Sequence, residues 1–123
     1  MITGTVNSDL EAIVRLHVED VKGQTQAIDV KIDTAFTAFI NLPTAMIAAL
    51  GLPVATHEYV RIADGSVVRV PVHVGIVIWE GRPRRIEFHA LGQEKLIGMA
   101  MLAGHDLTMR VRDGGAVTIT LVP

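Results

Sequence analysis

The sequence predicts an all-β domain, a hairpin-built barrel or sandwich with one or two short helices. Three observations support this fold class. Apolar and polar residues alternate with period two over several segments, turn-forming residues separate those segments, and only one longer stretch has a helical pattern. The 123 residues, of which 50% are hydrophobic, suffice for a core without disulfides. We therefore expect residues 1–123 to form a single domain.

The alternating segments are rich in β-branched residues, which favour strands with one buried face. In the first of them, Ala12, Val14 and Leu16 lie on one face, while Arg15 and His17 lie on the other. The same pattern recurs at residues 28–32, 68–78, 107–111 and 117–121. In the longest segment the residues that share one face are Val68, Val70, Val72, Val74, Ile76 and Ile78.

Turn residues and helix boundaries fill the gaps between these strands. Asp64-Gly65 predicts a two-residue type I′ hairpin, and residues 80–83 and 113–115 predict two more reversals. Residues 42–50 predict a helix, because Pro lies in the first turn and Gly follows the last. A shorter helical turn is expected at residues 99–103.

Composition excludes several functional classes. The net charge of −2 gives no basic excess, so we expect no nucleic-acid partner. The absence of cysteine excludes thiol catalysis and cysteine-based zinc sites. The first residues lack a signal-peptide pattern, and charges interrupt every apolar run. We therefore expect a cytoplasmic protein that does not associate with membranes.

The candidate site follows a predicted buried strand. Residues 27–32 lead directly into Asp33-Thr34, a small residue and a turn, and the predicted helix comes soon after. Strand ends suit reactive side chains, since the sheet holds them rigidly while the loop exposes them. The alternative is that Asp33 only caps a turn at the end of the strand.

The segment Ile32-Asp33-Thr34-Ala35-Phe36-Thr37 resembles the Asp-Thr-Gly motif of retropepsin-like aspartic proteases (clan AA), in particular the small bacterial and archaeal single-domain members. Other parts of the chain are similar to the family in the same order. They are Leu42-Pro43 with the following helix, Leu50-Gly51-Leu52, the hairpin at Asp64-Gly65, Leu96-Ile97-Gly98, and the final segment 113–119. The resemblance thus extends over nearly the whole chain.

The resemblance implies a single-lobed, closed acid-protease barrel. It also implies a homodimeric aspartic endopeptidase with a peptide or protein substrate and neither cofactor nor metal. Asp33 of each copy would share one catalytic water, and Thr34 would hydrogen-bond across the dimer axis. The supporting residues that it implies are Thr34, Ala35, Phe36 and Thr37 in the active-site loop, Ala63, Asp64 and Gly65 in a flap, and Leu96, Ile97 and Gly98 in a second structural signature.

Physical chemistry explains why such an enzyme needs two copies. Amide hydrolysis by water needs a base for the water and an acid for the carbonyl oxygen. Two adjacent carboxylates supply both, because they cannot both ionise cheaply and so hold one proton. The chain has only one Asp-Thr element of this kind. A two-fold axis would place Asp33 beside its own copy.

Ala35 departs from the family pattern, which has Gly at this position. Gly permits backbone angles and close approaches that a Cβ atom obstructs. Two alternatives therefore stay open. One is a catalytically impaired relative that binds a peptide or protein, and the other is a β-barrel interaction domain whose motif matches are accidental.

Two further patterns receive simpler explanations. His57, His73, His89 and His105 are evenly spaced, but no pair has the short spacing of metal ligands, so we expect no metal site. The cluster of Arg82, Arg84 and Arg85 is best explained as an exposed hairpin end, because no aromatic residues accompany it as in a nucleic-acid surface.

Overall fold

The computed structural model describes residues 1–123 and is mostly β, with 53% strand and 9% helix. The predicted β class and the two short helices are confirmed. The elements are β1 (Ile2–Val6), β2 (Ala12–Glu19), β3 (Thr25–Ile32), β4 (Ile40–Asn41), α1 (Thr44–Leu50), β5 (Val54–Arg61), β6 (Val67–Trp79), β7 (Arg82–His89), β8 (Leu96–Ile97), α2 (Met99–Leu102), β9 (His105–Met109) and β10 (Ala116–Leu121). Neither helix has the length and apolar character needed to cross a membrane.

The strands form one ten-stranded sheet in the order β5-β6-β7-β4-β8-β3-β2-β1-β10-β9. Neighbours are antiparallel except for the parallel pairs β3–β8 and β4–β7. The sheet curls so that β6 also pairs with β2, from Ile76 to Ile78. The predicted closed barrel is nevertheless wrong, since β5 and β9 remain free edges. Alternation specifies the face of each residue but not the partner of each strand, so it could not reveal these edges.

Strand β6 changes its neighbour along its length. Residues Val67–His73 pair with β5, whereas Ile76–Ile78 pair with β2 along the same edge. The first contact with β7 comes only at Val72. The outer part of the β5–β6 hairpin is therefore a two-stranded ribbon without further strand neighbours.

The buried face of β6 also changes. Val70 and Val72 are buried on one face, whereas Val77 and Trp79 are buried on the opposite face. The apolar residues of 68–78 do share a face, as alternation requires, but that face does not stay buried. Gly75 lies at the change, where a Cβ atom would come within 3.0 Å of Leu52 and Phe88. The switch coincides with the passage of β6 from the ribbon into the main sheet.

The main core contains 22 buried residues. Its members come from both helices and from strands across the sheet, including Val14, Leu16, Ile47, Phe88 and Ile97. Helix α1 ends as predicted at Gly51, whose φ of 72° lets its N–H bond the carbonyls of Ile47 and Ala48. This core holds β3 and β8 together, and the candidate site lies at their ends.

The hairpin turns differ from the sequence-based expectation. Between β5 and β6 the loop has three residues, Ala63–Gly65, and is closed by an Ile62–Ser66 hydrogen bond of 2.9 Å. Only Gly65 has a positive φ, so the predicted two-residue type I′ turn at Asp64-Gly65 is wrong. That turn occurs instead between β6 and β7, where Glu80 and Gly81 have φ values of 52° and 75°.

Candidate active site

Asp33 is the first residue after β3, and its own loop orients its carboxylate. The Asp33 N–H donates to the Ile97 carbonyl at 3.0 Å, which ties the residue to β8. Its Oδ1 accepts the N–H of Ala35 at 3.0 Å, and its carbonyl accepts the N–H of Phe36 at 3.1 Å. Oδ2 accepts no hydrogen bond within the chain. The half-buried carboxylate thus caps a turn and also keeps one oxygen available to a second group.

The segment after β8 crosses directly over the Asp33 loop. The N–H groups of Gly98, Met99 and Ala100 donate to the carbonyls of Phe39, Phe36 and Ala38 at 2.8, 2.8 and 3.1 Å. These bonds bring together the two predicted motifs, 33–37 and 96–98. The crossing segment therefore holds the Asp33 loop through backbone hydrogen bonds alone.

Gly98 makes this crossing possible. A Cβ atom at this position would lie 2.3 Å from the Ala38 carbonyl oxygen and 2.5 Å from Cδ2 of Phe36. The backbone of Gly98 is extended, with φ of −109°, so any residue could adopt its conformation. Close approach alone therefore requires glycine here.

Most of the other loop residues face solvent, and Phe36 is the exception. Thr34, Ala35 and Thr37 are exposed in the single chain, and Phe36 is half-buried. The φ of Ala35 is not positive, so its backbone conformation does not require glycine. The Thr34 hydroxyl makes no hydrogen bond within the chain. The extra methyl group of Ala35 is thus accommodated without strain in one protomer.

The β5–β6 hairpin is joined to this region at its base rather than at its tip. Glu58 on β5 bonds the Nε2 atom of His89 at 2.8 Å, and the His89 ring meets the Phe36 ring edge-on, with centroids 5.9 Å apart. The predicted flap residues Ala63, Asp64 and Gly65 are exposed, and no hydrogen bond connects them to the Asp33 loop. The chain therefore brings residues 33–37 and 96–98 together, whereas the hairpin tip makes no hydrogen bond to them.

Glu58 and His89 are the residues near the loop that sequence reasoning missed. The pair joins distant strands, and no local pattern marks it. The other evenly spaced histidines have unrelated partners, since His73 bonds the Leu52 carbonyl and His105 bonds Trp79. No group of three or more His, Asp or Glu side chains is arranged to hold a metal ion.

Ion pairs and hydrogen bonds shift the pKa values of charged groups near the loop and at the hairpin tip. Lys31, two residues before Asp33, contacts Glu11 at 3.1 Å and Glu94 at 3.3 Å, and its hydrogen bond to Glu11 raises the pKa of Lys31. The side-chain hydrogen bond from Asn7, followed by that from Lys31, lowers the pKa of Glu11. At the hairpin tip, hydrogen bonds from Ser66 lower the pKa of Asp64. Glu11 and Asp64 therefore stay ionised to a lower pH than an ordinary carboxylate does.

The single chain does not form an enclosed cleft around Asp33. Two surface clefts of about 330 and 440 Å³ lie beside Asp29 and Lys95, and Asp33 lines neither of them. A typical substrate site is concave and surrounds its ligand. Asp33 therefore lies outside the main concave regions of the single chain.

Comparison with solved structures identifies the fold. The structure is similar to the crystal structure of a retropepsin-like aspartic protease from Rickettsia conorii, with a TM-score of 0.67 over 98% of this chain and 91% of that chain. Sequence identity is 16%, so the likeness concerns the fold. No protein-family model and no curated protein matches the sequence. The retropepsin-like fold expected from the motifs is confirmed.

Proposed function

We propose that this chain is a single-domain aspartic endopeptidase that works as a homodimer. The observation that carries the proposal is the Asp33 loop itself. Its carboxylate is held at a strand end by backbone hydrogen bonds, with Oδ2 unpaired, and the Gly98 segment crosses beneath it. The retropepsin-like fold of the chain supports the same function.

The reaction needs two Asp33 carboxyl groups, one ionised and one protonated. The ionised group takes a proton from water while the water oxygen attacks the peptide carbonyl carbon, and the protonated group gives its proton to the carbonyl oxygen. The resulting gem-diol collapses as the C–N bond breaks. The amine nitrogen takes a proton from one carboxyl group, and a diol hydroxyl gives its proton to the other carboxylate, which restores the starting pair. No cofactor or metal takes part.

A second copy of the chain would supply the second carboxylate. Thr34 and Ala35 are exposed next to Asp33, so the loop is accessible to a second copy related by a two-fold axis. The Thr34 hydroxyl would then hydrogen-bond across the axis and brace the two loops. Ala35, Phe36 and Thr37 would form the floor of the groove, with Leu96, Ile97 and Gly98 as its structural support.

The β5–β6 hairpin would act as the flap over this groove, with Ala63, Asp64 and Gly65 at its tip. Its ribbon has free backbone edges, and an extended peptide can pair with such edges as an added strand. The inner face carries Val60 and Val68, which are half-buried in the single chain. Closure over a bound peptide would exclude water from the two carboxylates.

The dimer makes cleavage depend on protein concentration. We expect the specific cleavage rate of a peptide library to rise with protein concentration until dimerisation is complete. Addition of excess Asp33→Asn protein should then suppress the rate, because mixed dimers contain one altered carboxyl. Sedimentation measures the dimer on the same samples. A protein that stays monomeric at high concentration would contradict the mechanism. So would a rate per molecule that stays constant over a dilution in which sedimentation shows the dimer dissociating.

Ala35 supports a second candidate function, peptide binding without cleavage, and the Ala35→Gly variant tests it. We expect this variant to lose about 0.4–1 kcal/mol of stability, since glycine has a more flexible unfolded state. We also expect tighter dimers and faster cleavage, because the Cβ atom would lie at the dimer axis. Sedimentation and the peptide-library assay measure both.

The comparison with the parent protein decides between the two functions. Cleavage by the parent protein would support the endopeptidase function. Cleavage by Ala35→Gly alone would identify the parent as an impaired relative whose groove only binds. Binding by both proteins without cleavage would favour the peptide-binding module.

A further inference from the structure

Glu58 and His89 form a side-chain hydrogen bond between the β5–β6 hairpin and the body of the protein. Glu58 lies on the inner face of the hairpin, and its Oε2 is 2.8 Å from Nε2 of His89 at the end of β7. The His89 side chain is 8% exposed, whereas that of Glu58 is 47% exposed. The contact thus joins a buried histidine to a carboxylate on the projecting ribbon.

The second ring nitrogen of His89 makes no hydrogen bond, so the polar contacts of the ring depend on Glu58. Nδ1 is buried and has no hydrogen-bond partner. An ionised carboxylate only accepts hydrogen bonds, so in the contact with ionised Glu58 it is Nε2 that donates. Glu58 is then the only polar partner of a nearly buried imidazole. Removal of Glu58 leaves the ring with an unsatisfied donor as well, which is costly in a buried position.

His89 in turn lies against the loop that carries Asp33. Its ring meets the Phe36 ring at an interplanar angle of 89° and a centroid distance of 5.9 Å, an edge-to-face arrangement that aromatic pairs favour. The Phe36 carbonyl accepts the N–H of Met99 in the chain crossing. A continuous path of contacts therefore runs from the hairpin through His89 to the floor of the candidate site.

We infer that Glu58 and His89 are positioning residues, which hold the β5–β6 hairpin in register over the Asp33 loop and so fix the width of the peptide groove. The inference rests on the proposed endopeptidase function for its catalytic consequence. Beyond Val72 the hairpin has no other strand neighbour, and its one backbone hydrogen bond to the body is the long contact from the Ala90 N–H to the Pro71 carbonyl, at 3.4 Å. The Glu58–His89 pair is the side-chain contact that limits the movement of the hairpin.

Amide hydrogen exchange tests the mechanical part of the inference without any need for cleavage. We expect Glu58→Ala to accelerate exchange in the ribbon, residues 58–70, by about two- to tenfold, the factor that corresponds to the loss of one hydrogen bond. Glu58→Gln should stay close to the parent, because its side-chain oxygen still accepts from Nε2. Glu87→Ala is the matched control, since Glu87 lies two residues before His89 and makes no hydrogen bond or ion pair. Unchanged exchange in Glu58→Ala would overturn the inference.

Steady-state kinetics on a cleaved peptide tests the consequence for the site. We expect Glu58→Ala to raise KM severalfold with a smaller change in kcat, and Glu58→Gln to restore KM. A merely structural role would lower the active fraction and the melting temperature but leave KM unchanged, and that result would overturn the positioning role. If the parent cleaves nothing, the proposed function fails, while the exchange experiment still decides whether the pair holds the hairpin.

Discussion

Replacement of Asp33 by asparagine is expected to abolish peptide cleavage, with a loss of at least about 10²–10⁴-fold in kcat. An amide neither accepts the proton of the attacking water nor gives one to the substrate carbonyl. Because each dimer would contain two altered positions, no functional carboxyl pair remains. The Ala35 N–H can still bond the asparagine side-chain oxygen as it now bonds Oδ1, so the loop should keep its shape.

A peptide library read by mass spectrometry from pH 3 to pH 7 would measure this loss. The matched control is Asp29→Asn, which removes a carboxylate from β3, four residues before Asp33. Asp29 is paired with Arg15 at 2.8 Å on the outer face, so its loss should leave cleavage nearly unchanged. Equal cleavage by the parent and Asp33→Asn would show that the activity comes from another group or from a contaminant.

Substitution of Gly98 by alanine is expected to have the largest effect on the structure. The added methyl group would collide with the Ala38 carbonyl and with Phe36, at distances that no Cβ atom tolerates. Relief of the collision requires the two chain segments to separate, which breaks the backbone bonds of the crossing. We expect a loss of about 3 kcal/mol or more in the free energy of unfolding, measured by urea denaturation.

Gly104→Ala is the appropriate control for this substitution. A Cβ atom at Gly104 would meet nothing within 4 Å, but its φ of 81° is unfavourable for alanine, at a cost of about 1–2 kcal/mol. Gly98→Ala therefore measures the cost of a steric collision, and Gly104→Ala measures the cost of an unfavourable backbone conformation. If Gly98→Ala proves no less stable than Gly104→Ala, the crossing is looser than its hydrogen bonds indicate.

The sequence predicted the local features of the fold well. Period-two alternation identified β2, β3, β6 and β10, and the Pro-to-Gly pattern identified α1. The resemblance also led us to expect the Asp33 and Gly98 motifs in one fold, and the structure brings them together through backbone bonds. Each of these features depends on residues that are near in sequence or on motifs whose arrangement is known.

Features that depend on partners distant in the chain were not predictable. The free edges β5 and β9 and the changed neighbour of β6 arise from pairing between distant strands, which alternation does not encode. The Glu58–His89 contact spans 31 residues and has no local pattern. Even the Asp64-Gly65 turn failed for a similar reason, because the register of the two strands sets the loop length.

The changed neighbour of β6 has a consequence for the evolution of this protein. The ribbon adds little to the main core, to which β6 contributes only Val77 and Trp79 at its far end. Substitutions near the tip of the ribbon therefore cost little folding free energy. Regions of this kind accumulate sequence changes more freely than the scaffold that bears them. A lineage with this architecture can therefore alter what the hairpin contacts while the carboxylate and the crossing beneath it stay unchanged.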